Sequence, residues 1–221
     1  SNEASTMNYD CENHLMAIYY PDITTGVKSV IPLQWSTNYR ILSTEFETGR
    51  EVRRLVDKYP RRAVKILYRY TPYNDMNAIR SFYDTSTSGP FRPFYFVFPA
   101  DEIYRQYEKE LVGTVTQSGS GRRVDLPSRQ AESRTMYRTT SSGTSTVNFS
   151  FHASTTEGHP DQATINANLS PGDIISFSFT GRLAIYARFS KEPVVLSDVK
   201  NLYSSATVEL YGLYPEIPES S

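Results

Sequence analysis

Hydrophobic and polar residues alternate along most of this chain, which is the period of a β-strand rather than that of a helix. The clearest case is the segment 61–70, where Val64, Ile66, Tyr68 and Tyr70 fall on one face of an extended chain. Similar patterns predict further strands at 14–20, 38–46, 91–99, 172–189 and 206–213. Together they predict a mainly β protein, either a sandwich or a barrel-like domain.

The charged stretch 45–70 is predicted to form a long hairpin. Gly49 interrupts any helical pattern in its first part, and the sequence Asp-Lys-Tyr-Pro at 57–60 is typical of a turn. Residues 45–56 and 61–70 would then be the two arms. A hairpin rich in Arg and Lys also resists uncontrolled pairing at a sheet edge.

One flanking helix is predicted after this hairpin, because apolar residues recur there at spacings of three and four. These residues are Met76, Ile79, Phe82 and Tyr83. Asn74 or Asp75 is predicted to cap the start of the helix, and Ser-Gly-Pro at 88–90 to end it.

The composition changes in the middle of the chain. Ser, Thr and Gly dominate from 113 to 172, and hydrophobic residues occur there in short bursts. We therefore predict three segments. Residues 1–112 form the first part of a main domain and begin with a flexible polar arm. Residues 113–171 form an inserted small β region, and residues 172–221 supply the closing strands of the main domain.

Charge and composition narrow the classes of function. The chain has 23 basic and 24 acidic residues, a net charge of −1, which argues against a general nucleic-acid-binding protein. Its 17 tyrosines are well suited to half-buried strand faces and protein interfaces. The single cysteine, Cys11, excludes an intramolecular disulfide. The absence of an apolar run long enough for a membrane span or a signal peptide predicts a soluble protein made in a cytoplasm, without membrane insertion.

No motif for catalysis, cofactor binding or metal binding stands out, so we predict a protein that is not an enzyme and has no cofactor. The three histidines are scattered: His14, His152 and His159. The tripeptide His-Pro-Asp at 159–161 lies in a Ser/Thr/Gly-rich region and is read as a loop turn. The remaining enzymatic alternative is a hydrolase whose catalytic residues are brought together by the fold and leave no recognisable sequence motif.

The basic cluster in 50–65 is the one candidate site. It contains seven Arg and Lys residues against Glu51 and Asp57 alone. A solvated hairpin and a contact with an acidic surface of a neighbouring subunit both explain this density. On the second reading, the predicted subunit-interface residues are Arg50, Arg53, Arg54, Arg61, Arg62, Tyr68 and Tyr70.

The order of these segments resembles the distal tail, or minor tail, proteins of long-tailed bacteriophages and gene transfer agents. Gly49, Glu51 and Arg53 match a G-x-E-x-R-like run of that family. The helix, glycine turn and aromatic strand that follow match at Phe91, Phe94, Phe96, Pro99 and Asp101. The carboxy-terminal signature matches at Arg188, Phe189 and Glu209.

The resemblance implies a tail-tube-like β-sandwich flanked by a helix, with 113–171 as an OB-like barrel of the kind some members carry. It implies a structural virion protein at the tail tip, made in the bacterial host. Six copies would close into a ring that joins the tail tube to the tail-tip hub and other minor tail proteins, with DNA as transient cargo. The alternative is a carbohydrate- or host-surface-binding β module that uses Tyr137, Phe149 and Phe151.

Overall fold

The computed structural model describes residues 17–21, 33–39, 41–45, 51–55, 59–98, 104–197 and 203–217. Within them the protein is mainly β, as predicted, with mixed and antiparallel sheets and one short helix. The strands before the helix are β1 (Leu33–Asn38), β2 (Ile41–Glu45), β3 (Glu51–Leu55) and β4 (Arg61–Pro72). The helix α1 spans Tyr73–Ser81 and continues into a π-helical turn at Phe82–Ser86.

Eleven further strands follow within the described residues. The first six are β5 (Phe94–Val97), β6 (Arg105–Val115), β7 (Arg122–Asp125), β8 (Ser128–Thr140), β9 (Gly143–Thr146) and β10 (Phe149–His152). The last five are β11 (Gln162–Ile165), β12 (Ile174–Phe189), β13 (Val194–Ser197), β14 (Tyr203–Gly212) and β15 (Glu216–Ile217).

The main sheet is built around β4, which pairs with β1 on one side and β14 on the other. The last residues of β12 pair with β14 and with β5, and β13 extends the sheet along β14. Val64, Ile66 and Tyr68, which were predicted to share one face of a strand, are all buried in β4.

The first half of β12 continues the same ten-stranded sheet through other strands. We keep the name main sheet for the part around β4 and call the strands of residues 105–180 the small β module. There β12 pairs with β6 on one side and β8 on the other. Strand β9 extends β8, and β10, β11 and β7 form a separate three-stranded sheet. Because Gly113 lies within β6, the segment boundary drawn from composition falls inside a strand. The three-segment division stays a prediction.

An aromatic core holds α1 and the π-helical turn against the main sheet. Met76, Ile79 and Phe82 are buried, which confirms the predicted apolar face of the helix. The ring of Phe82 lies 5.1 Å from that of Phe94 and 6.1 Å from that of Phe189, the last residue of β12. Rings at these separations add packing energy beyond the area that they bury.

The predicted cap of the helix is wrong. The residue at the N-cap position is Pro72, and it makes no side-chain capping hydrogen bond. Strand β4 runs directly into α1, so no polar residue separates the two elements. The predicted stop at 88–90 agrees with the structure, because Ser88 and Gly89 have positive φ angles of 50° and 70°.

The long hairpin exists, but its arms differ from those predicted. In the β1–β4 ladder Asn38 lies opposite Arg61, and in the next ladder Ile41 of β2 lies opposite Leu55 of β3. The chain therefore reverses between β2 and β3, so that β1 and β2 pair with β4 and β3 respectively. The predicted turn at 57–60 lies between β3 and β4, and its residues 57 and 58 are outside the described residues.

Candidate functional site

The structure describes the side chains of four of the seven predicted interface residues, namely Arg54, Arg61, Arg62 and Tyr68. Arg54, on β3, has an exposed side chain. The backbones of Arg53 and Tyr70 belong to β3 and β4, and their side chains are outside the described atoms, as is the whole of Arg50. The interface role of these four residues therefore stays a prediction.

Tyr68 lies in the core and not on a surface. Its side chain is buried, and its hydroxyl oxygen is 3.1 Å from that of Tyr20. Burial raises the pKa of Tyr68, which keeps the phenol protonated. The structure thus corrects the expectation for this residue: its side chain joins β4 to the segment 17–21 of the same chain.

Arg62 forms an ion pair across two strands that are far apart in sequence. Its Nη1 and Nη2 atoms donate to the two carboxylate oxygens of Glu110, each at 2.6 Å. Both side chains are largely buried, at 13% and 15% exposed. Burial lowers the pKa of Arg62, but the hydrogen bonds and charge of Glu110 more than offset this and leave the pKa raised. The pair fastens the main sheet to β6.

Arg61 packs against two tyrosines near the end of the chain. Its guanidinium carbon lies 4.5 Å from the ring centre of Tyr214 and 5.8 Å from that of Tyr211. The hydroxyl of Tyr214 donates to the backbone carbonyl of Tyr59. Arg61 and Arg62 therefore already have partners within this chain, so the structure does not present them as a free basic surface.

A cleft opens beside these two arginines, between the start of β4 and the strand β6. Its volume is about 540 Å³, and β12 passes along its floor at residues 184–186. Arg105 crosses it, with its guanidinium carbon 4.9 Å from the ring centre of Trp35 and 5.1 Å from that of Tyr107. The tyrosines that line it are Tyr39, Tyr59, Tyr95, Tyr107, Tyr186 and Tyr214. We call this feature the tyrosine cleft.

Asp125, which lines the tyrosine cleft, belongs to a polar cluster. The carboxylate of Asp125 accepts hydrogen bonds from the Tyr19 hydroxyl at 3.3 Å and from Gln162 Nε2 at 2.8 Å. Burial raises the pKa of Asp125, although these hydrogen bonds act in the opposite direction. The ring of His159 stacks on Tyr19 with 3.9 Å between their centres. The cluster ties the segment 17–21 to the small β module.

The aromatic residues proposed for the carbohydrate-binding alternative are already in contact with other side chains. Arg134 lies 4.0 Å above the ring centre of Phe151, and Lys109 lies 5.4 Å above that of Tyr137. Phe149 packs edge-on against Phe177, which is buried. These three rings of the small β module are therefore poorly placed to stack on a sugar.

No protein-family model matches the chain, and no curated protein matches it. Within the described ranges, no helix has the length and apolar character needed to cross a membrane.

The sequence patterns missed Glu110, Trp35 and Arg105. Glu110 and Arg62 are 48 positions apart, and nothing local marks either residue as the partner of the other. Trp35 is the single tryptophan of the chain, and this is the one signal that could have drawn attention to the cleft.

Proposed function

We propose that the protein is a structural component of a bacteriophage tail tip, a distal tail protein of which six copies close into a ring. The ring would join the tail tube to the tail-tip hub and other minor tail proteins, and DNA would pass through it as transient cargo. The resemblance in sequence gave this expectation. One structural feature supports it more than any other.

That feature is the projecting hairpin, which we define as β2 and β3. These strands form a two-stranded sheet of their own, and no other described strand pairs with them. Each of its strands contributes five paired residues, a length of roughly 16 Å at ~3.3 Å per residue. A two-stranded hairpin is marginally stable alone in water. A surface on a neighbouring subunit would give such a hairpin additional packing.

A contact between the hairpin of one subunit and a different surface of the next subunit can generate a ring. When the surface on one subunit meets a different surface on the next, the contact is heterologous, and it closes into a ring if the rotation is right. The exposed Arg54 would meet an acidic surface there and set the register of the contact.

Removal of the projecting hairpin tests the proposal. We would replace residues 40–58 by Asn-Gly, which suits a short connection between β1 and β4. The wild-type protein is expected to show a sixfold species by native mass spectrometry across a concentration series. The variant is expected to stay monomeric with the circular dichroism spectrum of a folded β protein. A variant that assembles like the wild type, or a wild type that is monomeric at every concentration, would contradict the proposal.

A further inference from the structure

The tyrosine cleft has the dimensions of a ligand site. Its volume of about 540 Å³ lies within the range of roughly 300–1,000 Å³ that is usual for small-molecule sites. It is open to solvent along one side, where Tyr39 is 53% exposed. Tyr95 and Tyr107 are buried and lie deeper. The cleft can therefore admit a ligand at its mouth and offer it polar groups further in.

The walls of the cleft are fixed before any ligand arrives. Arg62 and Glu110 bridge them with two short hydrogen bonds, and Arg105 bridges them through the rings of Trp35 and Tyr107. The bond from Tyr214 to the carbonyl of Tyr59 orients a further ring. A preorganised site loses little side-chain freedom on binding, which favours affinity.

The chemistry of the lining selects among ligands. Tyrosine is its most frequent residue, and each tyrosine joins an apolar ring to a hydroxyl. Tyrosine hydroxyls are protonated at neutral pH, and burial raises the pKa of Tyr59, Tyr107 and Tyr186 further, so these hydroxyls have the chemistry of hydrogen-bond donors and acceptors. A matching ligand has apolar faces and many hydroxyl groups at its edges.

The charges of the cleft disfavour a polyanion. Four basic side chains are nearly balanced by three acidic ones, and Glu110 already neutralises Arg62. The remaining charged side chains that line it are Arg61, Arg105, Lys109, Glu108 and Asp125. Single-stranded nucleic acid is bound by a clearly positive groove with open rings, whereas Arg105 lies over Trp35 and Tyr107 here.

We propose that the tyrosine cleft is a saccharide-binding site that takes a short, uncharged oligosaccharide. The exposed ring of Tyr39 stacks on the apolar face of a sugar at the mouth, and the tyrosine hydroxyls and charged groups of the walls bind its hydroxyls. The site lies between the main sheet and β6, away from the three small-module aromatic residues already described. It is independent of the ring proposal, since every residue that forms it belongs to one chain.

Saturation-transfer NMR on the full chain tests this, with maltotriose, cellotriose and tri-N-acetylchitotriose as probes. A pentathymidylate and a proline-rich decapeptide represent the other ligand classes. We expect at least one trisaccharide to bind. Tyr39→Ala is expected to weaken that binding by about ten-fold, the scale of a lost aromatic contact, and Tyr39→Phe is expected to keep most of it.

The matched control is Tyr73→Ala. Tyr73 is 52% exposed, almost the same as Tyr39, but it begins α1 and does not line the cleft. Tyr73→Ala should leave the affinity for the trisaccharide unchanged. The proposal is overturned if no trisaccharide binds, if the two alanine variants behave alike, or if the oligonucleotide or the peptide binds in preference to all three sugars.

Discussion

Arg62 and Glu110 are joined by two hydrogen bonds of 2.6 Å, although 48 residues separate them in the sequence. Arg62 is the second residue of β4 in the main sheet, and Glu110 lies in β6, which flanks the first half of β12. The pair is the closest ionic link between the main sheet and β6 in the described part of the chain. Its loss should affect the stability of the whole molecule.

Substitution of Glu110 by Ala should lower the free energy of unfolding by about 3 kcal/mol, because it leaves the largely buried Arg62 guanidinium without its carboxylate. The double variant Arg62→Met with Glu110→Leu removes both charges, and we expect it to be much closer to the wild type. Urea unfolding monitored by fluorescence measures both values.

The pair of Lys191 and Glu209 provides the control for this experiment. Its N···O distance is 2.9 Å, but the Lys191 side chain is 53% exposed. Lys191→Ala should therefore cost less than about 1 kcal/mol, as solvent-exposed ion pairs usually do. Equal losses for Glu110→Ala and Lys191→Ala would show that burial does not strengthen the Arg62–Glu110 link.

Charge reversal on the projecting hairpin should affect assembly alone. Arg53→Glu with Arg54→Glu changes β3, which pairs only with β2 within the described residues, so we expect an unchanged melting temperature. If the hairpin contacts an acidic surface of a neighbour, the sixfold species should disappear in native mass spectrometry. Reversal at Arg62 is unsuitable for this purpose, because it would also break the bond to Glu110. If the double variant assembles normally, the hypothesis of a charge-based contact is wrong.

Local patterns predicted the elements better than their partners. The alternation of Val64, Ile66 and Tyr68 placed them on one face of a strand, because side chains in a strand point to alternate faces, and the structure buries that face. The spacing of Met76 and Ile79 identified the helix for the same kind of reason. By contrast, the residues at 57–60 resemble a turn locally, and only the pairing of Ile41 with Leu55 shows that the chain reverses earlier.

The candidate site was much less predictable than the fold. A density of Arg and Lys suggested a surface cluster, but Arg61 and Arg62 are engaged by Tyr214 and Glu110. These partners come from distant parts of the chain, and no periodicity links them. The tyrosine cleft likewise combines residues from several strands, whose proximity depends on the way β12 serves both groups of strands.

The stacked pair of His159 and Tyr19 makes stability depend on pH. Burial lowers the pKa of His159 below its usual value of 6.5, while the charge of Asp125 raises it and that of Arg129 lowers it. The unfolded chain therefore takes up this proton at a higher pH than the folded protein does. The free energy of unfolding should fall as the pH decreases from about 7.5 through the normal histidine range.

His159→Phe keeps a ring against Tyr19 and removes the titrating group, so the slope of unfolding free energy against pH should be shallower in that variant. The pKa of Asp125 is raised in the folded state, which has the opposite effect at lower pH. Urea midpoints measured between pH 7.5 and 5.5 isolate the histidine contribution. Identical slopes for the two proteins would contradict this assignment.

The pairing of Arg105 with Gly181 defines a better place to divide the chain than the change in composition does. These residues lie opposite each other in the β6–β12 ladder, so the ends of the segment 106–180 are adjacent in space. A short Gly/Ser linker can therefore replace this segment without stretching the main sheet. Deletion of 113–171 instead cuts β6 and leaves the buried Phe177 and Phe179 of β12 without the strand β8 beside them.

We expect the variant that lacks 106–180, made with Arg62→Met to avoid an unpaired buried charge, to unfold cooperatively in urea. The variant that lacks 113–171 is expected to aggregate or to lose cooperative unfolding, because it exposes apolar residues of β12. The reverse result would support the boundaries predicted from composition. If both variants fail to fold, the main sheet needs the small β module. The second half of β12, which pairs with β5 and β14, would then depend on the first half, which pairs with β6 and β8.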